Sequence, residues 1–185
     1  MYDEIAILID SMAKRNCETS YRRLFTLLFS PLTRFSMCFL KSRPQAEEIA
    51  SDVMLVLWQR RLELNAVKNV RSYAFITARN LSLNIIKKDS QRNFISLDDL
   101  DINVHLHIRT PEQLLINDEL RKRLEDTINT LPEKGRLVFK LVKEDGFSYK
   151  EVAEILNISV KTVDAHLVAS IKKLTVILKD EFNLA

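Results

Sequence analysis

The stretch SYKEVAEILNISVKTVDAHLVASIKKL, residues 148–174, decides the fold at the C-terminal end of the chain. Ser148 and Glu151 form a capping box, which predicts a helix over residues 149–156. A tight turn follows at residues 157–159, and Ser159 is placed to cap a second helix. This pattern predicts a helix-turn-helix. The inner face of its second helix is expected to consist of Val163, Leu167, Ile171 and Leu174.

In a helix-turn-helix, the second helix enters the major groove of DNA and its first residues reach the base edges. Side chains on the outer side of that helix are therefore candidate DNA-binding residues, and lysines further along suit phosphates. A purely structural helical hairpin is the alternative. The candidates are Ser159, Lys161, Thr162, Ala165, His166, Lys172 and Lys173.

Helical periodicity also dominates the rest of the chain. Only 2 glycines and 4 prolines occur in 185 residues, too few for a sheet of many short strands or a Gly-rich phosphate loop. Residues 89–110 follow no regular period, and Thr110 with Gln113 forms a capping box that restarts the helices. We therefore predict an all-α protein with two small helical domains, residues 1–88 and 111–185. The flexible linker between them spans residues 89–110, and the second domain contains the helix-turn-helix.

Four helices are predicted in the first domain. A short one contains Ile5 and Met12, and a long one runs to Phe39 with a kink at Pro31, because proline removes a backbone donor. Residues 41–45 are predicted to be a connection. The third helix follows from Ala46 to about residue 62, and the fourth covers residues 70–88.

Charge is segregated along the chain although the net charge is only +3. Residues 65–92 contain six basic residues and one acidic residue, whereas residues 93–119 contain six acidic and one basic. This segregation indicates a segment that faces nucleic acid beside an acidic linker. A solvated helix face would give the same composition.

The fourth predicted helix carries two stripes, of which the apolar one contains Ala74, Ala78, Leu81 and Ile85. The other stripe suits stacking on an unpaired base, hydrogen bonds to base edges and phosphate neutralisation. An ordinary solvent-exposed face uses the same residue types. The stripe consists of Tyr73, Thr77, Asn80, Asn84, Lys87 and Lys88.

The third predicted helix has more apolar surface than one core stripe requires. Its core residues are expected to be Ile49, Val53, Val56 and Leu57. Met54, Leu55 and Trp58 widen the apolar band next to the acidic residues Glu48 and Asp52. Such a band is typical of a partner-docking site, or of a deeply buried central helix.

Features of an enzyme or a membrane protein are missing from the sequence. His105 and His107 match no zinc-site spacing, so neither a metal nor a cofactor is expected, and no nucleophile pattern occurs. No apolar run is long enough for a membrane span, and we expect a cytoplasmic protein without membrane insertion. Cys17 and Cys38 are expected to be reduced thiols.

Three stretches together resemble the extracytoplasmic-function (ECF) sigma factors, which direct bacterial RNA polymerase to promoters. The first comprises Ala46-Glu47-Glu48, Asp52-Val53 and Leu57-Trp58. The second comprises Val70-Arg71-Ser72-Tyr73, Ala78-Arg79-Asn80 and Asn84. The third is the helix-turn-helix, with Ser148-Tyr149, Glu151-Val152-Ala153, Ile158-Ser159 and Thr162-Val163.

This resemblance implies a non-catalytic specificity subunit whose partners are core RNA polymerase, promoter DNA and an anti-sigma factor. Glu48, Asp52, Leu55 and Trp58 would dock on the polymerase. The polar stripe of the fourth helix would recognise the minus-ten region, and the helix-turn-helix the minus-thirty-five region. The acidic linker would lie near the active-site channel.

Two alternatives remain open from the sequence. An autonomous helix-turn-helix regulator would bind palindromic DNA as a dimer, and an enzyme acting on nucleic acid would need a catalytic constellation. The chain also departs from the family pattern. Tyr73 stands where tryptophan is frequent, and Asp164, Ala165, His166 and Ala169 stand where members are often more basic.

Overall fold

The computed structural model describes residues 2–90 and 126–182, and all regular structure in them is helical. The predicted all-α class is therefore confirmed. The chain divides into two compact units, with residues 2–90 in the first, which also includes Glu154–Leu156, and the other described residues in the second. The predicted domain limits stay a prediction, because most of the linker, with His105 and His107, and the Thr110 capping box lie outside the described residues.

The N-terminal unit is built from helices that follow one another closely in the chain. Two residues, Asn16 and Cys17, separate the first two helices. Asn16 has a positive φ of 50°, since Asn tolerates the left-handed region that ends a helix. A short 3-10 turn, Leu64–Ala66, precedes the last helix. The helices are α1 (Tyr2–Arg15), α2 (Glu18–Ser36), α3 (Arg43–Gln59) and α4 (Val70–Ser90).

Two helix boundaries differ from the prediction. α2 continues through Pro31 and ends at Ser36, where the amides of Cys38 and Phe39 bond to carbonyls three residues back and tighten the chain into a turn. α3 begins at Arg43, three residues early, because the Ser42 hydroxyl accepts from the Gln45 amide at 3.5 Å. Proline in the first turn loses no helical hydrogen bond, so residues 43–45 of the predicted connection belong to the helix and only Lys41 and Ser42 lie outside it.

The core of this unit lies where α2 packs on α3 and α4. α2 contributes Leu24, Leu28, Leu32 and Phe35, all fully buried, and the ring of Phe35 lies 5.0 Å from that of Phe75 on α4. Complete burial of each such side chain stabilises a fold by roughly 1.5–3 kcal/mol. Because one side of α4 is buried in this core, the opposite side of α4 faces solvent.

The C-terminal unit begins, within the described residues, with a helical segment at 126–129. α5 (Glu133–Phe139) continues into a π-helical turn, Lys140–Glu144. Gly146, with φ of 69°, ends this segment. The helix-turn-helix follows as α6 (Tyr149–Leu156) and α7 (Val160–Phe182).

α7 packs on α5 at a very close approach. A Cβ atom added to Gly135 of α5 would lie 2.7 Å from the Ser170 hydroxyl oxygen. Ser170 is 2% exposed and Ile171 is 41% exposed, so the predicted place of Ile171 on the inner face is wrong. The inner face instead consists of Val163, Leu167, Ser170 and Leu174.

Among the described helices, none combines the length and the apolar character that crossing a bilayer requires.

Candidate partner and nucleic-acid interfaces

One side of α3 is exposed and combines acidic and apolar side chains. Glu48, Asp52, Leu55 and Gln59 recur at steps of four, three and four, so they share one side of the helix. Leu55 is 50% exposed, which is unusual for leucine in a helix whose other side is fully buried. We name these four residues the α3 face. It contains three of the four predicted docking residues.

Two apolar residues of α3 were assigned to the wrong side. Met54 was expected in the exposed band but is completely buried, whereas Val56, expected in the core, is half-buried. The buried stripe continues through Ala46, Ala50 and Met54, and small alanines are weak hydrophobic signals in a sequence. Counting them would have rotated the predicted core toward Met54.

Trp58, the fourth predicted docking residue, is half-buried in a local cluster. Its ring centroid lies 5.0 Å from that of Tyr21 on α2, and the Arg61 guanidinium stacks 4.6 Å above it. Arg61 is held by donation to the Asn16 side-chain oxygen at 2.8 Å and to the Trp58 carbonyl at 2.9 Å. Burial raises the pKa of Tyr21. Trp58 therefore packs two helices together and exposes only part of its ring.

The predicted polar stripe of α4 lies on the exposed side of that helix. Asn80, Asn84 and Lys88 are exposed, while Tyr73, Thr77 and Lys87 are half-buried. We name these six residues the α4 face. The Tyr73 hydroxyl accepts from Arg60 at 3.1 Å, and the Thr77 hydroxyl donates to the Tyr73 carbonyl at 2.8 Å. Arg60 was missed in the sequence because it lies in the turn after α3.

Two arginines of the basic segment are not surface charges. Arg71 and Arg79 are buried, and burial lowers the pKa of Arg79. Arg79 donates to the Asn80 side-chain oxygen at 3.3 Å, so it orients that amide. Within the described part of residues 65–92, the basic side chains that reach the surface are therefore Lys68 and, on the α4 face, Lys87 and Lys88.

The helix-turn-helix has the caps predicted from its sequence. The Ser148 hydroxyl accepts from the Glu151 amide at 3.3 Å, and the Glu151 carboxylate accepts from the Ser148 amide at 2.7 Å. Asn157, with φ of 55°, makes the turn. The Ser159 hydroxyl then accepts from the Thr162 amide at 3.0 Å and starts α7. These bonds fix the direction of α7 relative to α6.

The predicted DNA-binding residues of α7 separate into two groups. Lys161, Ala165 and Lys172 are exposed, as are Ser159 and Lys173. Thr162 and His166 are half-buried on the flank of the helix. Lys173 donates to the Thr130 carbonyl at 2.6 Å, which gives it a role in packing within the unit.

Two exposed residues near the middle of the outer side were not predicted. Asp164 is exposed, and Val168 is 57% exposed. Because Ile171 was expected on the inner face, the outer side of α7 was predicted too far toward Thr162 and His166. An inner face drawn through Ser170 would have revealed both residues.

Comparisons with known proteins agree with this geometry. Residues 121–174 match the family model described as Sigma-70, region 4. The chain is 30% identical over 129 residues to the ECF RNA polymerase sigma-E factor of Escherichia coli, which covers 70% of this chain and 63% of that protein. It is 28% identical over 132 residues to the sigma-E factor of Haemophilus influenzae, covering 70% and 64%. Over the aligned residues the chain is similar to the ECF sigma factors.

The aligned part of this chain spans just under two thirds of the length of those curated relatives. Two solved structures share its fold. CnrH in complex with the cytosolic domain of CnrY superposes with a TM-score of 0.58 at 17% identity, covering 96% of this chain and 99% of that one. RpoE in complex with the anti-sigma factor NepR from Bartonella quintana gives 0.56 at 21% identity, covering 86% and 96%.

Proposed function

We propose that this chain is an ECF sigma factor, a specificity subunit that binds core RNA polymerase, directs it to promoters and helps to open the DNA. The observation that carries the proposal is the joint occurrence, in one chain, of the α3 face, the α4 face and a capped helix-turn-helix. Each of these surfaces alone has an ordinary structural explanation. Their order along the chain matches the family, and the proposed function uses all three, one to dock on polymerase and two to recognise the promoter.

The α3 face is the proposed docking site for polymerase. Leu55 supplies exposed apolar area at its centre, and Glu48 with Asp52 supplies acidic positions that can pair with a basic partner surface. Because the opposite side of α3 is buried, the helix presents these side chains on a rigid support. Trp58 contributes the part of its ring that packing leaves exposed.

The α4 face is the proposed contact with the opened minus-ten region. An aromatic ring can stack on an unpaired base, which contributes about 1–3 kcal/mol per base. Tyr73 offers that ring, and Asn80 and Asn84 offer amides one turn apart. Lys87 and Lys88 follow at the end of the helix, where they can neutralise phosphates.

The helix-turn-helix is the proposed reader of the minus-thirty-five region. The exposed outer side of α7 carries few basic residues, so counterion release contributes little and the isolated chain should bind duplex DNA weakly. Polymerase supplies the remaining affinity. The protein itself performs no catalysis in this scheme, and it acts in the cytoplasm, where promoters and polymerase are found.

An anti-sigma factor is the proposed regulatory partner. This proposal is supported by the two structural neighbours, both of which were solved in complexes, one of them with a named anti-sigma factor. Such a partner would have to cover the α3 face or the DNA-binding surfaces to block transcription.

The test is to mix the purified chain with bacterial core polymerase and follow the mixture by size-exclusion chromatography. We expect a stable complex that selects duplexes from a random library and starts transcription on them. The isolated chain should not enrich any sequence. Failure to bind core polymerase, or tight two-fold-symmetric binding of a palindrome by the chain alone, would overturn the proposal and favour the autonomous regulator.

A further inference from the structure

The outer side of α7 has an unusual chemistry for a DNA-reading helix. Lys161, Asp164, Ala165 and Val168 are all exposed there and span a helical length of about 12 Å. We name these four residues the reading face. A major groove is about 12 Å wide and admits one helix. The reading face would meet base edges with a carboxylate and two apolar side chains, and it contains no arginine.

Asp164 restricts which base can face it. A carboxylate only accepts hydrogen bonds, and the Asp164 side chain makes no hydrogen bond or ion pair with any residue that the structure describes. In the major groove, guanine presents two acceptors, thymine one, and adenine an acceptor beside its amino group. Cytosine alone presents a donor without a neighbouring acceptor on its own edge. Asp164 is therefore most complementary to cytosine, because each of the other three bases places an acceptor against its carboxylate.

The apolar members restrict a second position. Thymine is the base that presents a methyl group in the major groove, and apolar side chains pack against it. Val168 and Ala165 offer apolar surface on the same side as Asp164. Val168 lies one helical turn beyond Asp164, about 6 Å along the axis, which corresponds to roughly two base-pair steps.

The charges at the ends of this surface favour DNA as its occupant. Lys161 and Lys172 are both exposed and lie about 16 Å apart along α7. This distance exceeds the width of the groove, so the two ammonium groups can reach phosphates at its edges while Asp164, Ala165 and Val168 lie between them.

We propose that the reading face specifies pyrimidines: Asp164 recognises a cytosine, and Val168 with Ala165 recognises a thymine about two base pairs away. This inference rests on the proposed function and defines the DNA sequence that the function requires. It makes Asp164 and Val168 specificity-determining residues of the upstream promoter element.

The first experiment uses the holoenzyme formed by the full chain and bacterial core polymerase to select duplexes from a random library. The wild-type holoenzyme should prefer cytosine by about tenfold at one upstream position. Asp164→Ala should lose this preference, and Asp164→Asn should shift it toward adenine, which asparagine recognises. Glu154→Ala, which removes an exposed carboxylate from α6, is the control and should retain it.

The second experiment replaces the selected thymine by deoxyuridine, which removes only the methyl group. Binding by the wild-type holoenzyme should weaken about fourfold, the equivalent of the ~0.8 kcal/mol of one buried methyl-sized group. Val168→Ala should respond less. Equal binding of both duplexes by the wild type would overturn the thymine assignment.

The outcomes separate the inference from the function on which it rests. If wild-type chain and core polymerase form no complex, the proposed function fails and the inference fails with it. If a stable holoenzyme forms but Asp164→Ala selects the wild-type sequence, only the inference is overturned. Loss of holoenzyme assembly in Asp164→Ala would show that the reading face binds protein, which also overturns it.

Discussion

Replacing Gly135 by alanine tests the contact that sets the rotation of α7. The new Cβ would lie 2.7 Å from the Ser170 hydroxyl oxygen and 3.8 Å from the His166 carbonyl oxygen. The second distance is an ordinary contact, but the first requires movement. Gly135 and Ser170 are both buried, so neither can move into solvent.

Two opposing effects decide the sign of the change in stability. Alanine is favoured over glycine inside a helix by about 1 kcal/mol. Displacing the Ser170 hydroxyl costs about 2 kcal/mol, either because the side chain takes a strained rotamer or because the buried hydroxyl is left without a hydrogen-bond partner. Gly135→Ala should therefore destabilise the protein by about 1 kcal/mol. In a Ser170→Ala background the overlap disappears, and the same change should stabilise it by about 1 kcal/mol.

Urea unfolding of the four proteins, followed by circular dichroism, measures this coupling of about 2 kcal/mol as a double-mutant cycle. With a typical slope, each kcal/mol moves the midpoint by about 0.5 M. If Gly135→Ala raised the midpoint equally in both backgrounds, the close approach of α5 and α7 would be refuted.

Three further predictions concern the α3 face, the α4 face and the thiol of Cys17. Asp52→Arg should abolish binding to core polymerase at unchanged helical content, whereas Glu63→Arg, a charge reversal at another exposed position, should not. Equal affinities of the two variants in a pull-down would contradict the docking assignment. Asn80→Ala with Asn84→Ala should reduce open-complex formation much more than core binding, and permanganate footprints of wild-type strength would show that the α4 face is only solvent surface. Hydrogen bonds from Ser20 lower the pKa of Cys17, so its thiolate forms at lower pH than an ordinary thiol's. Alkylation should therefore show one fast phase, whose rate rises at lower pH than that of an ordinary thiol and which is absent in Cys17→Ser. The buried Cys38, whose thiol donates to the Arg34 carbonyl, should react slowly. Equal rates for the two thiols would contradict this prediction.

Local signals predicted the helix-turn-helix well because its determinants lie close together in the chain. The capping box at Ser148 and the Ser159 cap each involve residues three positions apart, so their hydrogen bonds can be anticipated from spacing. The polar stripe of α4 was predicted for a related reason: polar residues at helical spacing lie on one side wherever the opposite side is buried.

The errors have a common physical cause, which is packing between distant segments. Ser170 is buried because Gly135, 35 positions earlier, leaves room only for a small side chain, and no local pattern reports that. Met54 is buried beside alanines that carry a weak hydrophobic signal. Arg79 is basic in sequence, but its helix position places the guanidinium in the interior. In each case a tertiary neighbour decided the side of the helix.

The same reasoning separates substitutions that change specificity from those that change stability. Asp52, Asn84 and Asp164 are exposed on helices whose buried sides carry the packing, so replacing them should alter binding at little cost to folding. The contact between Gly135 and Ser170 differs, because it sets which residues of α7 point outward. A change there should alter stability and base preference together, since rotating α7 would move the carboxylate of Asp164 away from the base that it faces.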